Sequence, residues 1–314
     1  MSALPRQTAE NTQPPELTLF MLVTNRDCVL AHYAILSYRK LWKRYDSFVL
    51  EVYANCLSIE NKERYFPRWR ELPYVSIRDN EANGKIPRRK GASFTSPEGN
   101  SFRYDDNCEH YDEVWTREHQ LAKTPYWATV DADFEILVPQ FIEAMMESLR
   151  ADSALGGVST DYAATAKCFD TYSNEVILLN ERWHTWCCIY RRETGKFLRD
   201  LSSFYVERKM VDGQRHAFDS YANVQQLMIR NGYRMASLPE RFQPQFIHYG
   251  AFSKNKSITE RNVVIYRRLA ITSKRGLVRL PFLNSLTRRI ASKVFWILFS
   301  RAVKERRVYD FEDG

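Results

Sequence analysis

The chain has 314 residues, of which 44% are apolar, 27% charged and 14% aromatic, with 11 glycines and 12 prolines. These proportions exclude a disordered chain, a collagen-like repeat and a disulfide-stapled mini-protein, and they supply a substantial core. The formal net charge is +8, yet residues 274–307 alone hold ten basic side chains against Glu305, so the rest of the chain is close to neutral. A general nucleic-acid protein spreads its basic charge over a folded face, so nucleic acid is not an expected partner.

The six cysteines form no CxxC pair and no zinc-finger spacing. Cys187 and Cys188 sit in an apolar run, which reads as reduced core thiols in a cytosolic protein. The opening MSALPRQTAENTQPPE lacks the apolar stretch of a signal peptide. Val294–Phe299, the longest strongly apolar run near the end, is far below the ~18 residues that span a bilayer. The expectation is a soluble or peripheral protein.

In chain order, residues 1–16 read as a polar, disordered leader. LTLFMLV (17–23) is a strand, and Asp27 caps a helix over 28–45 in which Leu30, Ala34, Tyr38, Leu41 and Tyr45 recur at helical spacing. FVLEVYA (48–54), a helix over 58–71 and a strand over 74–79 complete a β-α-β-α-β run. Its first strands are too apolar to alternate, which predicts a parallel sheet buried on both faces. Residues 80–106 form a polar loop with a basic knot at Lys85, Arg88, Arg89 and Lys90. A helix follows over 108–122, then strand, acidic turn and short strand over 124–137, then an amphipathic helix over 139–150 opened by Pro139.

The second half has a different mix. Strands are expected at 156–160, 175–179 and 183–192, and a helix over 217–231 closed by Gly232. Residues 241–255 read as strand then loop, and Ser257 with Glu260 matches a capping box for a helix to about 270.

Asp131-Ala132-Asp133 is the most informative feature, through its placement. It follows the apolar strand 126–130 directly, and ligands of open α/β sheets bind at the carboxyl ends of strands. Two carboxylates one residue apart repel unless a cation lies between them or bridges them to a diphosphate. Hard oxygen ligands suit Mg²⁺ or Mn²⁺. The competing reading is a solvated acidic turn in which Asp133 caps a helix.

This layout resembles the GT-A class of nucleotide-sugar-dependent glycosyltransferases over roughly residues 17–255. The resemblance rests on the strand LFMLVTN, a Rossmann-type β-α-β half, the mid-chain DAD turn, and a mixed second half with a late histidine. It implies an α/β, GT-A-like fold with a mixed central sheet, a nucleotide-sugar half at 17–137, an acceptor half at 138–255, and a basic helical segment at 256–314. It further implies that Asp131 and Asp133 bind a divalent metal, Mn²⁺ or Mg²⁺, on the diphosphate of a nucleoside-diphosphate sugar, with a UDP-sugar favoured. Thr24, Asn25 and Arg26 would touch the nucleoside and Asp79 the base or ribose.

HYGAFSK (248–254) is similar to the His-x-x-Gly-x-x-Lys element of some retaining members, although its glycine falls one residue early. By that likeness His248 is the third metal ligand and Lys254 meets the phosphate. A bland reading leaves His248 as a structural residue. Asp219, in HAFDSYANVQQL, holds the position of a general base or of a residue near the anomeric carbon. Its alternative role is a favourable first-turn charge on a helix. Trp183 and Trp186 are either buried strand aromatics or a sugar platform.

In the tail, Ile290, Val294, Ile297 and Leu298 share one helical side, and Arg289, Lys293 and Lys304 lie opposite. With its excess charge this predicts an amphipathic helix on an anionic membrane surface through residues 274–307. The functional expectation is a metal-dependent glycosyltransferase acting on a glycan or lipid-linked acceptor in cell-surface polysaccharide synthesis, peripheral at the cytoplasmic face of the membrane. The alternatives are a phosphotransferase or phosphohydrolase using Asp131 as nucleophile, and a non-enzymatic membrane-docking protein.

Overall fold

The computed structural model describes residues 14–25, 27–80, 111–170, 175–200 and 221–249. It also describes the short segments 93–95, 101–103, 207–211 and 214–218, and positions 264, 267, 268 and 271. The first half alternates strand and helix. Its elements are β1 (Leu17–Val23), α1 (Cys28–Ser37), α2 (Arg39–Trp42), β2 (Phe48–Ala54), α3 (Ile59–Arg70) and β3 (Val75–Asp79). After the small hairpin β4 (Ser93–Thr95) and β5 (Ser101–Arg103) come α4 (Tyr111–Leu121), β6 (Tyr126–Val130), β7 (Phe134–Ile136) and α5 (Gln140–Ala151). The second half holds β8 (Leu155–Ser159), β9 (Tyr162–Asp170), β10 (Glu175–Trp183), β11 (Cys187–Arg191), β12 (Glu207–Val211), β13 (Gln214–Phe218), α6 (Ala222–Arg230), β14 (Arg234–Ser237) and β15 (Phe246–His248).

Seven strands make the central sheet, in the order β14-β8-β11-β6-β1-β2-β3. The β6-β1-β2-β3 part is parallel, and β11 runs antiparallel to both β6 and β8. The expected α/β class with a mixed central sheet is therefore present. A second sheet, β12-β13-β10-β9, and the pair β15-β7 lie outside the central one.

The unbroken apolar run of β1 has a direct cause in the layering. Leu17, Leu19, Met21 and Val23 pack into one core beneath α1, α3 and α5, while Phe20 points into a second core beneath α4 and α6. Neighbouring strands divide the same way: Ala128 and Val130 face the first core and Trp127 the second, as do Cys187 and Cys188 respectively. A strand covered on both faces has no solvated side on which polar residues could alternate. Each fully buried aliphatic side chain contributes about 1.5–3 kcal/mol, so this double layer is the main source of stability.

Local chemistry sets most boundaries. Ser58 caps α3 by accepting from the Asn61 N–H at 3.3 Å. Pro139 stands at the N-cap of α5, whose Phe141, Ile142, Met145, Met146 and Leu149 form its buried stripe. Gly232, at φ +86°, closes α6 in the left-handed conformation that glycine tolerates. Cys28, Cys56, Cys187 and Cys188 are free thiols. Among the described residues no helix is long and apolar enough to cross a membrane.

Five expectations need correction: residues 241–245, expected as strand, belong to a short 3-10 helix before β15, the loop expected over 80–106 holds the hairpin β4–β5, and three more follow. The single helix over 28–45 is two, because the chain tightens at Tyr38, whose N–H reaches the Ile35 carbonyl at 3.2 Å. The helix expected from 217 begins at Ala222, because residues 214–218 are drawn into strand β13 between β12 and β10. Order begins before residue 17. Glu16 donates its N–H to the Ser47 carbonyl at 2.8 Å and pairs its carboxylate with Arg150.

Candidate metal and donor site

The sheet grows in two directions from β1, toward β2 on one side and β6 on the other. A crevice opens at such a reversal, beyond the carboxyl ends of the strands. Asp131 stands there, immediately after Val130. Its N–H donates to the Trp186 carbonyl at 2.9 Å, and its own carbonyl accepts from Phe134 N–H at 3.1 Å, which folds the DAD segment into a tight turn.

The turn leads into β7, which pairs antiparallel with β15 so that His248 lies opposite Phe134. Helices α1 and α2 each hold this small sheet through one side chain. Ser37 Oγ accepts the Ile136 N–H at 2.9 Å, and Lys40 Nζ donates to the Ile136 carbonyl at 2.8 Å. Tyr249 N–H adds a bond to the Asp133 carbonyl at 3.1 Å.

This scaffold brings His248 Nε2 to 3.2 Å from Asp131 Oδ2 and 3.3 Å from Asp133 Oδ1. One ligand atom from each of Asp131, Asp133 and His248 lies within 4.8 Å of the other two. Asp133 is 8% exposed, His248 15% and Asp131 33%, so the cluster opens to one side, over Asp131. Burial opposes charge on the His248 ring, but the carboxylates of Asp133 and Asp131 outweigh it and hold its pKa up at about 9. Burial pushes Asp133 up against the pull of His248. Two hard oxygens and an imidazole nitrogen at this separation fit Mn²⁺ or Mg²⁺.

One wall is aromatic. The Trp186 ring centroid lies 4.1 Å from that of His248 and is stacked on His184 at 3.9 Å. Burial first, then the charges of Arg182 and His248, lower His184 to about 3, so its ring stays neutral against the indole. Trp183 packs on Tyr162 at 4.9 Å, away from this stack.

Thr24, Asn25 and Asp79 lie on the same sheet edge, at the ends of β1 and β3. Each is engaged locally. Thr24 Oγ1 donates to Asp27 Oδ2 at 2.7 Å, and this occupies the carboxylate expected to cap α1. Asn25 Oδ1 accepts from Ser58 N–H at 2.7 Å and Asn61 Nδ2 at 3.0 Å, while its Nδ2 donates to the Cys56 carbonyl at 3.2 Å. Asp79 meets Lys62 at 2.9 Å. Arg26, Asp219 and Lys254 lie outside the described residues, as do the basic knot 85–90, the capping pair Ser257 and Glu260, and the tail 274–307.

Several residues of the site's surroundings were not anticipated. Glu135 is 1% exposed, a charged residue inside the apolar DADFEIL run, and that oddity is a readable signal. The stack of His184 on Trp186, the hydroxyl of Tyr249 and the guanidinium of Arg267 carry no signal of their own, because only the tertiary fold brings them to the turn. Asn80 likewise joins the sheet edge by accepting the Cys56 N–H at 2.9 Å and donating to Asn55 at 2.9 Å.

Solved structures to which this chain is similar include the bifunctional glycosyltransferase WbbM in its apo form, at 13% identity and a TM-score of 0.46, over 81% of this chain and 52% of that one. The chain thus spans about half the length of that protein. The mannosyltransferase PcManGT from Pyrobaculum calidifontis, in complex with GDP-Man and Mn²⁺, is 13% identical with a TM-score of 0.41, over 96% of this chain and 89% of that one. Glucosyl-3-phosphoglycerate synthase from Mycobacterium tuberculosis, in complex with Mn²⁺, UDP and glucosyl-3-phosphoglycerate, is 10% identical with a TM-score of 0.41, over 83% and 80%. No protein-family model matches the sequence, and no curated protein matches it.

Proposed function

We propose that the chain is a metal-dependent glycosyltransferase that takes a nucleoside-diphosphate sugar, a UDP-sugar first among them. The observation that carries this is the gathering of Asp131, Asp133 and His248 within 4.8 Å at the carboxyl edge of the central sheet, where the sheet reverses. In this reading the three side chains hold Mn²⁺ or Mg²⁺, which when bound neutralises the charge of the leaving diphosphate. Thr24, Asn25 and Arg26, which follow β1 in sequence, and Asp79, at the end of β3, meet the nucleoside. Lys254 adds a positive charge near the phosphates.

Asp219, between β13 and α6, takes the proton from the attacking hydroxyl of the acceptor. The aromatic wall of Trp186 and His184 keeps the His248 ring in place and shields it from water. The phosphotransfer alternative needs the Asp131 carboxylate free to attack, whereas here it lies 3.2 Å from His248 Nε2. For the acceptor, a glycan or lipid-linked glycan in cell-surface polysaccharide synthesis agrees with the concentration of basic residues in 274–307, which suits attachment to the cytoplasmic face of an anionic membrane.

The test is a thermal-shift panel of the full chain with UDP, GDP and their sugars, each with and without Mn²⁺. A rise in melting temperature that needs both nucleotide and metal is the expected result. No shift with any nucleotide, or equal shifts without Mn²⁺, would remove the reading.

A further inference from the structure

Glu135 is a buried carboxylate two residues beyond Asp133, and its side chain is completely engaged. Arg267 donates through Nε to Oε2 at 2.7 Å and through Nη2 to Oε1 at 2.6 Å, a bidentate pair. Tyr249 OH donates to the same Oε2 at 2.8 Å. The guanidinium of Arg267 also lies 4.6 Å over the ring of Tyr33, on α1. Four residues later Ile271 packs on the cluster of Leu30, Ile247 and Tyr249, so Arg267 and Ile271 share one helical face turned to the sheet.

Tyr249 is the link to the metal cluster. It follows His248 in sequence, its N–H holds the Asp133 carbonyl, and its hydroxyl holds Glu135. Both strands that carry ligands are therefore tied at two levels. The backbone bond sets the distance between β7 and β15, and the Glu135 carboxylate fixes the side-chain layer beneath. A carboxylate in this position stays in place only while its charge is matched, because an unpaired buried charge draws water or turns outward. Losing Arg267 would release Glu135, then Tyr249, and with it the ring of His248.

We infer that Arg267 and Glu135 are a positioning pair for the metal cluster, acting through Tyr249 on the spacing of Asp133 and His248. The inference rests on the metal reading above. Groups hydrogen-bonded to metal ligands alter metal affinity by about 10- to 100-fold when removed, and Glu135 and Arg267 act one contact further back, through Tyr249, so the lower end, about 10-fold, is expected. Neither residue touches the ion, so the effect falls on how tightly metal is held, and transfer at saturating metal is largely preserved.

The experiment is Mn²⁺ titration of the full chain followed by electron paramagnetic resonance, with circular dichroism on each variant. Arg267→Ala and Glu135→Gln should weaken Mn²⁺ binding about 10-fold with an unchanged dichroism spectrum. Arg267→Lys, which keeps charge without the bidentate fork, should recover part of the loss. In transfer assays the Mn²⁺ concentration for half-maximal rate should move while kcat at saturating Mn²⁺ stays near that of the wild type.

Folded variants that bind Mn²⁺ like the wild type overturn the inference. If Arg267→Ala does not fold, Arg267→Lys and Glu135→Gln carry the same test, and failure of all three to fold makes the pair a structural prop and overturns it as well. A wild-type chain that binds no Mn²⁺, or an Asp133→Asn variant that binds it undiminished, removes the metal reading and this inference together. Loss in Asp133→Asn with no change in the Arg267 and Glu135 variants removes this inference alone.

Discussion

The Tyr249 N–H donates to the Asp133 carbonyl at 3.1 Å, beyond the last pair of the β7–β15 ladder. That bond holds the segment entering β7 to the end of β15 through main chain, independently of the carboxylate of Asp133. Asp133→Asn should therefore leave the scaffold intact and remove the charge. We expect loss of transfer and of Mn²⁺-dependent nucleotide binding, with an unfolding midpoint close to that of the wild type. A variant that unfolds, or that keeps its Mn²⁺ dependence, would show that Asp133 serves the core and not a cation.

Asp219 lies in the connection between the strand ending at Phe218 and the helix beginning at Ala222. As general base it would contribute to turnover and little to donor affinity. Asp219→Asn should lower kcat by ~10²-fold or more with the donor Kd nearly unchanged. A change in donor Kd alone would reassign Asp219 to donor positioning, and unaltered kinetics would remove it from the site.

The amide of Asn25 joins the end of β1 to the start of α3 through Ser58 and Asn61, and to the left-handed residue Cys56 at φ +54°. Asn25→Ala removes three hydrogen bonds, and at a net worth near 1 kcal/mol each, discounted for partial exposure, stability should fall by about 1–2 kcal/mol. Urea unfolding measures this. Weaker donor binding should accompany the loss if Asn25 meets the nucleoside as proposed, because the same bonds shape that edge of the sheet. If only donor affinity changes, the amide contacts ligand and its structural bonds are dispensable.

His119 supplies a pH dependence remote from the metal cluster. Its ring is stacked on Trp127 at 4.9 Å, with Nδ1 at 2.8 Å from Tyr221 OH and Nε2 at 3.2 Å from the Arg191 carbonyl. A neutral ring with its proton on Nε2 accepts from Tyr221 OH at Nδ1 and donates at Nε2, where Thr194 Oγ1 also lies at 3.2 Å. Burial lowers its pKa from 6.5 to about 4. The unfolded chain therefore takes up a proton near pH 6.5 that the folded chain refuses until about pH 4. Stability is full above pH 6.5 and falls as pH drops through that window, by about 3 kcal/mol for this group. His184, held low as well, acts in the same direction. In urea titrations between pH 7 and 4.5, His119→Gln should be less stable at pH 7 and lose less on acidification than the wild type. Parallel curves for the two proteins would remove His119 as a source of the slope.

The first half of the fold was legible because its signals are local. A strand covered on both faces reads as a continuous apolar run, as Leu17–Val23 does, and the DAD turn follows such a strand directly. The second half was harder because its strands take their state from their neighbours. Ala217 and Phe218 read with the helix of α6, and only the pairing of Gln214–Phe218 with β10 and β12 makes them strand. The same distinction runs through the site. Asp131 and Asp133 announce themselves by position, whereas Glu135, Tyr249 and Arg267 meet across separations of 114 and 132 residues, a relation that no local spacing encodes.

The tail poses a question that truncation can answer, because among the described residues the contacts that tie the C-terminal region to the sheet come from Arg267 and Ile271. Arg267 and Ile271 both precede residue 274, so deleting 274–314 keeps the Glu135 pair and the packing on Tyr249. The shortened chain should fold, unfold cooperatively and bind donor. Binding to anionic vesicles should be lost, since each Lys or Arg near such a surface contributes up to ~1 kcal/mol, and the deleted residues hold ten of them up to residue 307. The apolar stripe of Ile290, Val294, Ile297 and Leu298 adds partition energy to the same segment. Salt should weaken the full-length chain's attachment, because exposed charges are screened beyond ~8 Å at physiological ionic strength. A tail that instead covers the domain gives the opposite result: truncation would expose apolar surface, and the protein would aggregate or lose cooperativity. Equal and poor flotation of the full chain with neutral and anionic vesicles would sink the membrane reading and assign the ten charges to another partner.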